Sequence, residues 1–237
     1  MSHKPIIILV EPQLGENIGF IARIMGNFGF SELRIVNPRD GWPNDSAKAT
    51  ATKASYIIDS AKIFDSFEKA VSDLRFLYAS TARPRDCNKD CIEPSILKQD
   101  ITNIEAQTSE IGIIFGPERS GLDNKIVTKC NKIIQIPTTA KVPSLNIAIA
   151  ASIICYELSS LSLGKKPIED LSTQDQKEFF IDFLEDNLEK SNFFKTKEKR
   201  QKTLQNISNI FNRVPNLTSN EVNTLLGIVK SLAEYSK

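Results

Sequence analysis

The stretch "IIILVEPQLGENIGFIARIMGNFGFSELRIV", residues 6–36, decides the fold. Its two ends, 6–10 and 33–36, are short apolar runs rich in β-branched residues, as buried strands require. Between them, over 17–28, Ile18, Ile21, Met25 and Phe28 fall on one stripe of a wheel turning about 100° per residue, so this segment is a helix with one face toward a core. Strand, helix and strand in that order form the unit from which parallel sheets are built. Arg23 lies nearly opposite the stripe and faces away from the sheet. Most arginines so placed are solvated surface charges; a role for this one depends on the rest of the chain.

The same alternation continues outward. Strand-like runs recur at 74–80, 111–115 and 133–136, and helix-compatible segments at 46–54, 65–72, 122–131 and 145–160. The fold class is α/β, a parallel sheet with helices on both faces, filling a first domain of residues 1–162. Residues 163–172 read as a linker broken by Gly164 and Pro167. Residues 173–237 are then a small all-α extension: Phe180, Leu184 and Leu188 repeat at i+4, and Leu204, Ile207 and Phe211 at i+3 and i+4. Thr218 and Glu221 have capping-box spacing ahead of Val222, Leu225, Leu226 and Val229. Between its first two helices "KTKEKRQK", 195–202, reads as a solvated basic connector or a phosphate-contacting patch.

Composition narrows the chemistry. A chain of 237 residues, 41% hydrophobic, can bury a full core, and its 30 Lys+Arg against 29 Asp+Glu leave no bulk charge to attract nucleic acid or membrane. The longest apolar run, "LNIAIAASIICYEL", is broken by Asn146, Ser152 and Glu157 and is shorter than a bilayer span. The start "MSHKPIIILVEP" carries no signal-peptide pattern, so the expected location is the cytoplasm. Cys87, Cys91, Cys130 and Cys155 are expected as free thiols. Cys87 and Cys91 have the spacing of half a metal clip with no second pair to complete it, so no metal is expected. His3 is the single histidine and lies at the terminus, which sets aside Ser-His-Asp, Cys-His and His-metal catalysis.

Open α/β sheets bind ligands at the carboxyl ends of their strands. After the first strand, "EPQLGENIGF" lacks the dinucleotide fingerprint. In "GPERSGLDNK", Leu122 and Asp123 stand where a phosphate loop needs Lys and Ser/Thr. Three distinctive loops remain: "EPQLGENIGFIARIMGNFGF", "FGPERSGL" and "IPTTAKVPSLNIAIA".

These three, in this order, resemble the motifs of the SPOUT methyltransferases, specifically the TrmH-like branch that methylates ribose 2'-hydroxyls in RNA. Asn17 and Arg23 match its first motif, Gly116 and Glu118 its second, and Ser144, Leu145 and Asn146 its third. "KASYII", "STARPR" and the helical tail extend the likeness to the tRNA cytidine/uridine ribose methyltransferases of the J type, which modify nucleotide 32 of the anticodon loop. The resemblance implies a C-terminal trefoil knot, a homodimer with no membrane association, tRNA as partner and S-adenosylmethionine as cofactor. It also implies catalytic roles for Arg23, Asn17, Glu118, Ser144 and Asn146. Ser80, Thr81, Ala82, Gly116, Ile136, Pro143, Ser144 and Leu145 would hold the cofactor.

Several of these residues carry a second, plainer reading. Ser144 is placed to cap the following helix. Asn146, an amide in the first turn of an Ile/Ala-rich helix, either satisfies a loop carbonyl or faces a ligand. Glu118 can hold Arg23, cap amides or meet substrate; a bare loop glutamate is more often solvated or beside Arg119. Ala148, Ala151 and Ser152 permit close packing, in the core or across a dimer interface. Arg83, Arg85 and Lys89 could meet tRNA phosphates, diluted by Asp86 and Asp90. A guanidinium stays protonated at neutral pH, so Arg23 is read as a clamp on phosphate and forming alkoxide rather than as a base. Action on ribosomal RNA or another tRNA position, and a non-catalytic RNA-binding module, stay open as alternatives.

Overall fold

The computed structural model describes residues 4–82, 89–105, 110–161, 171–214 and 217–235. Arg83, Arg85, Asp86, Cys87, His3 and all but the end of the expected linker lie outside the described residues. In chain order the elements are β1 (Ile6–Val10), α1 (Gly15–Asn27), β2 (Leu33–Val36), α2 (Asp45–Ala51), a 3-10 turn (Thr52–Ala54), α3 (Ser55–Asp59), β3 (Lys62–Phe64), α4 (Phe67–Val71) and β4 (Phe76–Ser80). There follow β5 (Cys91–Ile92), α5 (Pro94–Glu105), β6 (Ile111–Phe115), α6 (Asn124–Lys129), β7 (Lys132–Ile134), α7 (Ile147–Glu157), α8 (Gln174–Lys190), α9 (Lys197–Arg213) and α10 (Ser219–Tyr235).

The strands form one sheet in the order β3-β2-β1-β6-β4-β7-β5, every pair parallel. Alternation along each strand feeds two cores. Ile7 and Leu9, with Ile113 and Phe115, meet Ile18, Ile21 and Met25 of α1, Leu97 and Ile101 of α5, and Ile154 of α7. Ile8 and Val10, with Leu77 and Ile114, meet Phe67, Ala70 and Val127 under α4 and α6. Both sheet faces are therefore covered, which is why the strands read as unbroken apolar runs. Each such side chain taken fully from water contributes about 1.5–3 kcal/mol before entropy is counted.

Five strands stand where the sequence places them, within a residue or two. β3, β5 and α5 were not expected. β3 and β5 are three and two residues long, too short for a period to show. α5 had a legible signal: Pro94 opens it, and Leu97, Ile101 and Ile104, at i, i+4 and i+7, are its buried stripe. The expected helix at 46–54 is interrupted: α2 ends at Ala51, and Thr52 takes a positive φ of 53°.

The tail is helical. Thr173 and Gln176 close a capping box on α8, and Thr218 and Glu221 exchange backbone bonds of 2.8 and 3.2 Å ahead of α10. Gln174 donates its backbone N–H to Leu74 O at 3.0 Å, tying α8 to the turn just before β4. "KTKEKRQK" is not the connector expected. Thr196 caps α9 by accepting from Lys199 N, so residues 197–202 are its first turns, and Arg200 reaches back to Glu185 and Glu189 of α8. Among the described residues no helix is long and apolar enough to cross a membrane.

Candidate active site

A cleft of ≈ 360 Å³ opens at the carboxyl ends of β6, β4 and β7, three neighbours in the sheet. Ser80, Thr81 and Ala82 enter it from the end of β4, Phe115 and Gly116 from β6, and Ile136 from beyond β7. Pro143, Ser144 and Leu145, on the approach to α7, complete the lining on that side. All eight residues expected at a cofactor thus line one cavity. Its far wall is the loop 117–121, of which only Glu118 was singled out in advance.

That loop is shaped by two glycines. A Cβ on Gly116 would come within 2.4 Å of Leu122 N, so the backbone doubles back against itself there. Gly121 sits at φ +66°, a conformation that L side chains rarely adopt, and its N–H donates to Pro117 O at 2.8 Å. The turn that lacks a phosphate loop's Lys and Ser/Thr still presents a tight backbone bend to the cleft. Two glycines five apart were the sequence signal for it.

Glu118 is neither solvated nor paired with Arg23. Its carboxylate accepts from Gln13 N at 2.8 Å, Leu14 N at 3.3 Å and Asn17 Nδ2 at 2.8 Å. The N-cap position of α1 is Leu14, which has no capping side chain. Glu118 supplies the missing acceptor from a loop a hundred residues away and places its charge at the positive end of the helix. Asn17, 6% exposed, passes the link on: its Oδ1 accepts from Asn146 Nδ2 at 3.2 Å. Asn146 Oδ1 in turn accepts from Ala148 N at 2.8 Å. Asn146, and not Ser144, is therefore the cap of α7, because the helix starts at Ile147 and Ser144, three residues before it, lines the cleft. One residue from each of the three motifs joins a single chain, Glu118–Asn17–Asn146, at the cleft's edge.

Arg23 stands apart. It is exposed, six residues along α1 from Asn17, a rise of about 9 Å. It lines a different groove, with Gly26, Asn27, Lys53 and Tyr56. Among the described residues it forms no ion pair. Ala148 and Ala151 are core residues, 7% and 0% exposed, where α7 packs on α1. Lys89 donates to Cys130 O, which fixes it beside β7. Cys91 is an exposed free thiol, and Cys130 and Cys155 are buried free thiols whose pKa values burial pushes up to about 12.

A parallel sheet with a cleft walled by bent loops at its carboxyl edge defines a ligand-binding α/β protein of the class that works at strand ends. The sequence profile of the SpoU rRNA Methylase family matches residues 4–156. The chain belongs to that family. It is similar to the tRNA (cytidine/uridine-2'-O-)-methyltransferase TrmJ of Photorhabdus laumondii, 31% identical over 239 residues covering 98% of this chain and 97% of that protein. It is also similar to the tRNA (cytidine-2'-O-)-methyltransferase TrmJ of Methanocaldococcus jannaschii, 39% identical over 163 residues, 68% of this chain and 69% of that one. Among solved structures, TrmJ from Z. mobilis ZM4 superposes with a TM-score of 0.87 at 37% identity, over 97% of this chain and 99% of that chain.

Proposed function

We propose that this protein methylates a ribose 2'-hydroxyl of tRNA with S-adenosylmethionine as donor, at nucleotide 32 of the anticodon loop. The observation that carries the reading is the Glu118–Asn17–Asn146 chain, which binds the three motif loops into one wall beside the cleft. Family membership and likeness to tRNA 2'-O-methyltransferases over nearly the whole chain set the reaction class.

The cleft suits the donor. Phe115, Ile136 and Leu145 offer apolar surface for a flat base, and the bent backbones at 116–121 and 136–145 offer amides and carbonyls for its polar edges. Bound there, S-adenosylmethionine supplies an electrophilic methyl group on a sulfonium. The chain's own part is alignment and charge. Glu118, Asn17 and Asn146 hold the start of α1 against the cleft, and Ser144 is exposed at its mouth. Arg23 grips the phosphate beside the target ribose and stabilises the oxygen as its proton passes to water and the methyl moves from the sulfonium to that oxygen.

Arg23 lies about 120° round α1 from Asn17 and lines a separate groove, and a second copy of the chain brings it to a cleft. Leu14 and Phe20 near α1, each 46% exposed, and Ile149 and Tyr156 on α7, 53% and 64%, form the apolar surface on which the two copies meet. The proposal includes the trefoil knot at the carboxyl edge of the sheet. It also includes a cytoplasmic location with the tRNA pool, and a division at 162 and 173 between the methyltransferase unit and its helical extension.

The test is transfer of labelled methyl from S-adenosylmethionine to tRNA lacking its native modifications, followed by nuclease mapping, with Arg23→Ala alongside. Label on the ribose of nucleotide 32 that vanishes in the variant establishes reaction, position and residue together. Label elsewhere in the tRNA overturns the position, and cofactor binding without label on any tRNA overturns the substrate.

A further inference from the structure

The groove that holds Arg23 has a second cation and an aromatic ring. Lys53 and Tyr56 stand on its opposite wall, in the 3-10 turn and the first turn of α3, and Asn27 and Gly26 close it from α1. Lys53 is exposed and, among the described residues, pairs with no carboxylate; Tyr56 is 56% exposed. Lys48, five residues earlier, pairs with Asp59 at 2.8 Å, whereas Lys53 lines the groove.

The backbone places it there. Thr52, the first residue of the 3-10 turn, holds φ 53°, ψ −121°, a conformation that β-branched residues avoid. Such outliers persist where surrounding packing forces them, and they gather at binding sites. Here the reversal presents Lys53 to the groove. A Cβ on Gly26 would meet Ala54 Cβ at 3.1 Å and Tyr56 Oη at 3.4 Å. The glycine therefore lets the 3-10 turn and the tyrosine lie close against α1, beside Arg23.

The geometry points to Lys53 and Tyr56 as positioning residues for the RNA: Lys53 contacts a backbone phosphate next to the one held by Arg23, and an unstacked loop base lies on the Tyr56 ring. Two cations flanking an exposed ring match single-stranded nucleic acid, whose phosphates and base faces alternate. Duplex RNA offers no free base face to the ring. The assignment rests on the tRNA reading above and adds to it the nucleotide that neighbours the methylated ribose.

The experiment measures steady-state methyl transfer to unmodified tRNA by the full-length protein, wild type and three variants, Lys53→Gln, Tyr56→Ala and Tyr56→Phe. Lys125→Gln, an exposed lysine on α6 outside this groove, serves as control, with thermal melts and S-adenosylmethionine affinity for each. Lys53→Gln and Tyr56→Ala are expected to raise the KM for tRNA roughly tenfold with kcat within about twofold, as loss of one phosphate contact or one stacked base does. Lys53→Gln lowers the salt slope of tRNA binding by about one. Tyr56→Phe keeps the wild-type KM, since stacking needs no hydroxyl, and Lys125→Gln changes nothing. Wild-type KM in both Lys53→Gln and Tyr56→Ala overturns the assignment while leaving the methyltransferase reading intact. A fall in melting temperature and cofactor affinity together with the KM change assigns the residues to the fold and also overturns it. A wild-type protein that binds cofactor and transfers no methyl to tRNA overturns the parent reading, and this one with it.

Discussion

Ile21 on α1 and Val222 on α10 are both buried, 0% and 2% exposed, yet they sit in unlike surroundings. Ile21 belongs to a core built from one face of a seven-stranded sheet and the helices α1, α5 and α7. Val222 shares its cluster with two other buried apolar residues, Phe180 and Leu217, and a rim of half-buried ones. A layered sheet unit with helices above and below surrounds each side chain on all sides. Three helices lying against one edge of that unit cannot. The tail therefore relies on polar ties as well: the Leu74–Gln174 backbone bond, and Lys129 bridging Glu68 at 2.7 Å and Glu178 at 2.6 Å. The sheet unit is built to hold a site in place, and the tail is built to be held.

Five substitutions sharpen or break this comparison. The largest expected effect is on turnover: Arg23→Ala lowers kcat for methyl transfer by at least about a hundredfold, as removal of a charge-stabilising donor does, with an unchanged melting temperature because the side chain is exposed. A matched loss of stability would mean that Arg23 belongs to the fold.

Next comes the contrast in packing. Ile21→Ala is expected to cost about 2–5 kcal/mol in denaturant unfolding, and Val222→Ala roughly 1–2. Hydrogen exchange should rise across α8 and α10 alone for Val222→Ala. Equal costs and global exchange in both variants would show that the tail and sheet unit unfold as one body.

A third prediction uses pH. Lys177 on α8 is 3% exposed, and burial, with the Arg75 charge adding to it, pushes its amine down to about 8. An unfolded lysine titrates near 10.4, so between about pH 8 and 10 the unfolded chain binds more protons and stability rises with pH; below 8 the penalty is fully present. Lys177→Met should therefore stabilise the protein at pH 7 by about 1–3 kcal/mol and flatten the slope of unfolding free energy above pH 8. An unaltered slope would place that amine in water.

The smallest effect is expected from Arg200→Gln. Arg200 reaches Glu185 and Glu189 in the open, and such pairs are weak and screened by salt. Its midpoint of denaturation should match the wild type within error at high salt.

Ser80 to Ala82, Gly116, Ile136 and Pro143 to Leu145, the residues that the family resemblance implies for the cofactor, meet in one cleft. Strands β1, β2, β4, β6 and β7 showed because each is a run of β-branched or aromatic residues buried on both faces. β3 and β5 did not, since two or three residues carry no period. Ser144 is spaced either to cap α7 or to meet a cofactor, and the cap is Asn146, because cap choice depends on where the loop meets the helix and both residue types can serve.

By itself the sequence determined which segments form most of the strands and helices, and which three loops resemble the family's motifs, since period and residue type are local properties. The strand order, the far-off carboxylate that caps α1, and the separation of Arg23 from the cleft were decided by tertiary structure. β1 lies beside β6, a hundred residues on, and Glu118 reaches Asn17 across the same distance. No local pattern encodes such meetings: they arise when burying both faces of the sheet at once leaves one arrangement in which every apolar stripe is covered and every helix end is satisfied.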